Sequence, residues 1–212
     1  MGIAAAEFES VAEVEIGVPD RLRQLNDDIS GAIDRAYQAL VQITNGERSI
    51  GAGTIWHPAG LILTNAHVVR DETPNVTLND GRSFPAQVLY YNAELDLAAL
   101  NIEATDLPTI EPGDSKELKP GEWVMALGHP WGIRNAVSGG IVIGMGAEMP
   151  DIPFSSREWV VVSLHMRPGH SGGPLIDTAG RLVGINTMIS GPDVGVAIPV
   201  HVVKKFLKDS MA

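Results

Sequence analysis

The chain has 212 residues, with 15 Lys+Arg against 26 Asp+Glu and a net charge of −11, a balance that excludes a binder of phosphate backbones, which needs a basic face. Hydrophobic residues make up 44%, enough for one core at roughly 100–200 residues per domain. The lack of cysteine removes disulfides, thiolate metal sites and a thiol nucleophile together, and no apolar run approaches the roughly 20 residues of a membrane span.

Residues 1–18 are small, acidic and without periodicity, and read as a flexible N-terminus. They lack the basic segment and the roughly 7–15 apolar residues of a secretory signal, so the expectation is a soluble protein, cytoplasmic if the chain is complete. From Pro19 the pattern changes. Leu22, Leu25, Ile29, Ile33, Ala36 and Leu40 recur at three and four, one face of an amphipathic helix, and Pro19 suits its first turn. A packing helix is the plain expectation; a contact between copies of the chain is the sharper one.

After Tyr37 the period shortens to two. Strands are expected over 41–43, 50–57, 60–69, 76–78, 83–91, 95–102, 123–127, 136–145, 159–164, 174–176, 181–189 and 194–199. Tight-turn signals separate them, among them Asn45-Gly46, Pro58-Ala59-Gly60, Asp80-Gly81 and Ala179-Gly180. Short strands at this spacing predict an all-β sandwich or barrel. The polar stretch 103–122 divides them into two similar groups. The expected layout is an N-terminal barrel at about 37–104, a connector at 105–121, a C-terminal barrel at about 122–200 and a closing helix at 200–208.

Three residues stand out chemically. Ser171 lies between Gly169 and Gly172-Gly173, where nothing bulky blocks a carbonyl and successive N–H groups can converge on one oxygen. The plain alternative is a glycine-rich turn, which Ser138-Gly139-Gly140 also offers. His67 follows a β-branched run, at the end of a buried strand, where a histidine is usually just a satisfied core residue. Asp96 is odder. It sits among Leu95, Leu97 and Leu100, and a buried carboxylate needs a partner. A chain in which Asp96 holds His67, and His67 takes the Ser171 proton, satisfies all three oddities at once.

The segments "TNAHVV", "LDLAAL" and "GHSGGPL", in the order His, Asp, Ser, resemble the chymotrypsin-fold serine endopeptidases and not the enzymes that carry the same triad in other orders. Within that fold the chain is most similar to the HtrA/Deg branch, through "GAGTIWHPAGLILTNAHVV", "MALGHPWG", "SGGIVIG" and "GINTMI…GVAIP". The resemblance covers about residues 19–208. It implies two six-stranded antiparallel β-barrels with an N-terminal helix and a short C-terminal one. It also implies Ser171 as nucleophile, His67 as general base and then acid, and Asp96 as the group that orients the imidazole. The oxyanion hole would be built from the N–H groups of Gly169, His170 and Ser171.

The matching pocket positions are His165, Met166, Asn186, Thr187, Met188, Ile189 and Val196. They hold no acid to select Lys or Arg, so cleavage after small or medium aliphatic residues is expected. The edge at 186–189 would take an unfolded or extended polypeptide as an added strand. No cofactor or metal is implied, and by analogy the 19–40 helix would build a homotrimer. The family works mostly in the cell envelope or periplasm, the location expected if a signal was removed, and a role in protein quality control would follow.

Two features depart from the pattern. His170 stands where Asn or Asp is usual, which argues against activation by pairing with a newly cut N-terminus. There is no room after Ala212 for a PDZ domain, so the chain is either a bare protease domain or a piece of a longer protein. A latent or inactive module that binds peptides or acts as a chaperone is the alternative from another class. His57 and His129 each precede a proline and read as loop residues, and His201 starts the last helix; none has metal-ligand spacing.

Overall fold

The computed structural model describes residues 19–45, 48–69, 73–146, 157–189 and 193–211. The expected flexible stretch 1–18 and the Gly46 half of the first turn signal lie outside these residues. Helix α1 (Asp20–Gln38) leads into β1 (Leu40–Asn45), β2 (Arg48–His57), β3 (Leu61–Thr64), the one-turn helix α2 (Ala66–Val69), β4 (Asn75–Thr77), β5 (Ser83–Pro85), β6 (Gln87–Asn92) and β7 (Leu97–Asn101). The second half comprises β8 (Trp123–Gly128), β9 (Ala136–Gly146), β10 (Trp159–Ser163), β11 (Pro174–Asp177), β12 (Leu182–Ile189), β13 (Val194–Pro199) and the closing helix α3 (Val200–Ser210).

The expected all-β architecture of two antiparallel, barrel-like sheets with a helix at each end is what the chain forms. The second half is a closed barrel in the order β10-β13-β12-β11-β8-β9. The first is a seven-stranded sheet, β5-β4-β1-β2-β3-β7-β6, because the run 83–91 breaks in two. At Ala86 the backbone N–H turns aside to the Pro74 carbonyl at 2.9 Å. One bent stretch of chain therefore supplies both ends of the sheet, β5 against β4 and β6 against β7.

Two further boundaries differ from the expectation. The apolar run 60–69 is not one strand: β3 stops at Thr64 and α2 begins at Ala66. The run 95–102 starts as a strand only at Leu97, which leaves Asp96 in the turn before it. Both breaks fall where the site is built.

Helix α1 packs through its C-terminal half. Ala32 and Ala36 are buried, Ala32 against Gly180 of the second barrel, while Leu22 and Leu25 are exposed. The polar connector is clamped to the second barrel, since Leu182 N–H donates to Glu111 O and Gly113 N–H to Leu182 O. Ser115 accepts the His201 backbone N–H at 3.2 Å and so satisfies an open donor of α3.

One apolar cluster fills the first barrel and continues across the seam into Trp159, Ile198 and the α3 residues Val203 and Phe206. A separate cluster, with Val142, Val160, Met166 and Leu175, fills the second barrel. Strand β7 contacts α2, α3, β3 and β6, so Leu97–Leu100 are buried without alternation, whereas along β9 Val137, Ile141 and Ile143 face out and Val142 faces in. Leu100→Ala should therefore cost about 2–5 kcal/mol, and Leu89→Ala, at an exposed position of β6, no more than about 0.5 kcal/mol. Urea denaturation of the two variants checks the contrast.

Candidate active site

His67 lies on α2, one turn beyond the end of β3, and Asp96 lies in the turn that enters β7. Asp96 takes a left-handed backbone, φ 54°, which aspartate tolerates better than bulkier residues. Asn65 fixes that turn by donating its side-chain N–H to the Asp96 carbonyl at 3.0 Å. Asp96 is only 8% exposed, and its carboxylate is surrounded by donors. The His67 backbone N–H reaches Oδ1 at 3.0 Å, the His67 Nδ1 lies 3.0 and 2.9 Å from the two oxygens, and the Thr187 hydroxyl donates to Oδ2 at 2.6 Å.

Burial alone would raise the Asp96 carboxyl, but the hydrogen bonds from His67 and Thr187 and the charge of His67 outweigh it and hold it below the ordinary carboxylate range. With Nδ1 facing a carboxylate, the imidazole proton is held there and Nε2 is left as the basic nitrogen.

Ser171 is carried by the second barrel and docked onto the first. Its carbonyl accepts the Ala52 N–H of β2 at 2.8 Å. Gly172 makes the docking possible, because a Cβ there would stand 2.1 Å from the Ala52 carbonyl oxygen. The Ser171 hydroxyl donates to the Thr187 carbonyl at 3.0 Å and forms no hydrogen bond with His67. Thr187 thus touches both ends of the constellation, with its side chain on the acid and its carbonyl on the serine.

The turn before Ser171 is closed by the His170 N–H, which donates to the Arg167 carbonyl at 3.0 Å. Gly169, with φ +107°, takes the corner, and its carbonyl accepts the His129 N–H at 2.8 Å. Among the described residues the N–H groups of Gly169 and Ser171 have no acceptor. Two donors in the segment that carries the serine are thus open. His170 was expected as a third, and the structure corrects this: its N–H is already engaged within the turn.

The expected pocket residues divide. Met166 is buried and packs on Gly195, where a Cβ would meet its Cε at 2.7 Å. His165 is half-exposed and pairs with Asp193. Asn186 does not face a substrate: its side chain points inward and donates to the carbonyls of Leu127 and Pro174 at 3.2 and 3.0 Å. Val196 is likewise core, and the adjoining Gly195 takes the position against Met166. Met188 and Ile189 are placed by their backbones, opposite Val196 and Gly195 in β13. Strand β11 pairs with β12 only as far as Ile185.

His129 is no loop residue in the solvent sense, being 2% exposed. Asn65, Asp193 and the double role of Thr187 were not anticipated. The one signal for Asn65 is a lone amide inside the apolar run of "TNAHVV".

Residues 51–185, a span that contains all three of His67, Asp96 and Ser171, match the family described as trypsin-like peptidase domain. The chain belongs to that family. Among its curated relatives, the putative serine protease HhoB of Synechocystis sp. is 37% identical over 160 residues, covering 73% of this chain and 38% of that protein. A probable periplasmic serine endoprotease DegP-like of Marinomonas sp. is 40% identical over 163 residues, covering 73% and 34%. The mitochondrial serine protease HTRA2 of Drosophila virilis is 34% identical over 212 residues, covering 97% and 49%.

Of solved structures, the HtrA-type protease AlgW with decapeptide superposes with a TM-score of 0.80 at 27% identity, over 86% of this chain and 67% of that one. The chain spans about a third to a half of the length of the curated relatives it matches. This is a chymotrypsin-fold, HtrA-like domain of the trypsin-like peptidase family.

A Thr187→Val variant removes one donor from the buried carboxylate of this domain. The Asp96 carboxyl should rise toward its ordinary 3.8, and the fold should lose about 1–3 kcal/mol. A depressed carboxyl stabilises the native state above its unfolded value, and that share is lost as pH falls through the native value. Acid unfolding of the variant should therefore depend less steeply on pH. Carboxyl titration by NMR, alongside acid denaturation, checks both.

Proposed function

We propose that this protein is a serine endopeptidase that hydrolyses peptide bonds through His67, Asp96 and Ser171. The observation that carries the proposal is the buried Asp96 carboxylate holding His67 Nδ1 and joined through Thr187 to Ser171, whose own N–H and that of Gly169 have no acceptor. In this reaction the Ser171 hydroxyl turns from the Thr187 carbonyl to His67 Nε2, gives up its proton there and attacks the scissile carbonyl. The oxyanion of the tetrahedral intermediate lies on the N–H groups of Gly169 and Ser171. His67 then protonates the leaving amine and activates the water that releases the acyl chain, while Asp96 stabilises the imidazolium.

Several features support an extended polypeptide substrate cut after a small or medium aliphatic residue. The β12 backbone runs on past β11 through 187–189, which offers an edge for an added strand. Met166, closed down on Gly195, makes a shallow apolar floor. Asp193, the acid near this segment, is paired with His165 and is not free to select a cation. A homotrimer is supported by the exposed Leu22 and Leu25 on the first turns of α1. The name of a DegP-like relative, a probable periplasmic serine endoprotease, supports a place in the cell envelope, and the resemblance to the HtrA/Deg branch supports a task in protein quality control. The two open donors beside Ser171 speak against a module that only binds peptides.

Casein should be cleaved by the native protein and left intact by Ser171→Ala, with cut sites after Ala, Val, Leu or Met by mass spectrometry. Asp96→Asn should lower turnover about 10⁴-fold through the wrong imidazole tautomer. Cleavage that persists in Ser171→Ala would overturn the assignment.

A further inference from the structure

Two histidines that this chemistry leaves unused lie buried behind the turn 167–170. They anchor it from opposite ends. The His129 backbone N–H, donating to the Gly169 carbonyl at 2.8 Å, fixes the peptide plane that joins Gly169 to His170. The His170 ring folds back so that its Nδ1 lies 3.1 Å from both the nitrogen and the carbonyl oxygen of Arg167, the residue at which the turn begins. Gly169 stands between these anchors, and as glycine it has no side chain to set its own conformation.

Neither ring has acceptors for protons on both of its nitrogens. His129 Nδ1 accepts the Asn135 N–H at 3.3 Å, and His129 Nε2 and His170 Nε2 are buried without a hydrogen bond of good geometry. The Val41 backbone favours the charged form of His129, but burial and Arg134 outweigh it. The charged groups that face the pair are all cationic: Arg134 and, when protonated, His170 toward His129, and Arg167 toward His170, the Arg167 backbone carbonyl offsetting its own guanidinium. Among the described residues no carboxylate pairs with either ring. Burial first, then Arg134, pushes His129 down to about 4, and burial lowers His170 in the same sense. A charged ring in this place reaches water only if the turn opens.

We propose that His129 and His170 are positioning residues for the oxyanion site, which hold the Gly169 N–H toward the reacting carbonyl while both rings are uncharged and release it when either takes a proton. The proposal rests on the endopeptidase reading above. Its pH sense follows from linkage. Both rings are lowered from an ordinary 6.5, so the stability of the closed turn is fully present above that value. It is lost as pH falls toward about 4.

The test is the acid limb of kcat on a peptide substrate, for the native protein and for His129→Asn, His170→Asn and the double variant, since asparagine keeps a polar side chain but cannot charge. His67 alone gives a limb of about one log unit per pH unit. The native limb should steepen beyond that below about pH 5 with KM little changed, and the double variant should keep a slope of about one at every pH.

The second readout is the Gly169 amide signal by NMR in a Ser171→Ala background. It should shift over the same acid range and stay fixed when both histidines are asparagine. Equal slopes, or a Gly169 signal indifferent to the substitutions, overturn the proposal. A native protein inactive at all pH values whose Gly169 signal still follows the pair would sink the endopeptidase reading and leave the positioning role standing.

Discussion

The constraint on which this molecule depends is the burial of a single carboxylate at the seam of two barrels. An ion withdrawn from water must have its lone pairs filled or it neutralises itself. Asp96 draws its donors from both halves: the backbone and ring of His67 from the first, and the Thr187 hydroxyl from β12 of the second. The seam has to be shut for all of them to be present together. The docking of the Ser171 carbonyl on the Ala52 N–H is a second tie across the same seam, and the continuous apolar cluster that runs from the first barrel into α3 is the packing that keeps it closed.

Thr187 shows how densely one residue can be used. Its hydroxyl lowers the Asp96 carboxyl, and its carbonyl accepts the Ser171 hydroxyl proton. Its backbone belongs to the length of β12 that leaves β11 behind. Asp96, Ser171 and the open stretch 187–189 are thereby placed relative to one another by one strand. A site held by strands is positioned more tightly than one held by loops.

Much of this was legible in the residues. Alternation of period two located the strands of both barrels, and a carboxylate among three leucines demanded a partner that His67 supplies. The ends of elements were not legible. Nothing in the β-branched run 60–69 says that the strand must stop at Thr64, because the reason lies 31 positions away: the Asn65 amide is needed by the Asp96 carbonyl. The pocket was misjudged for a related reason. Along β12 and β13 a shift of one residue decides whether a side chain faces substrate or core, and the ladder between them is irregular after Asn186. Asn186 and Val196 turned inward. His129 looked like a loop residue because a proline follows it, yet burial depends on what packs over it, and that is the distant turn at Gly169.

If the chain cuts peptides as proposed, the way its core is divided bears on how it survives its own chemistry. The second barrel keeps a private apolar cluster, whereas the interior of the first is continuous with the seam. Loosening of the first barrel therefore opens the seam too, and it carries His67 and Asp96 away from Ser171. A copy whose strands have come loose enough to be cut has, by the same movement, dismantled its own means of cutting. For the endopeptidase proposed above, self-digestion is then an encounter between an intact copy and an opened one, with a rate that grows with concentration and vanishes on dilution.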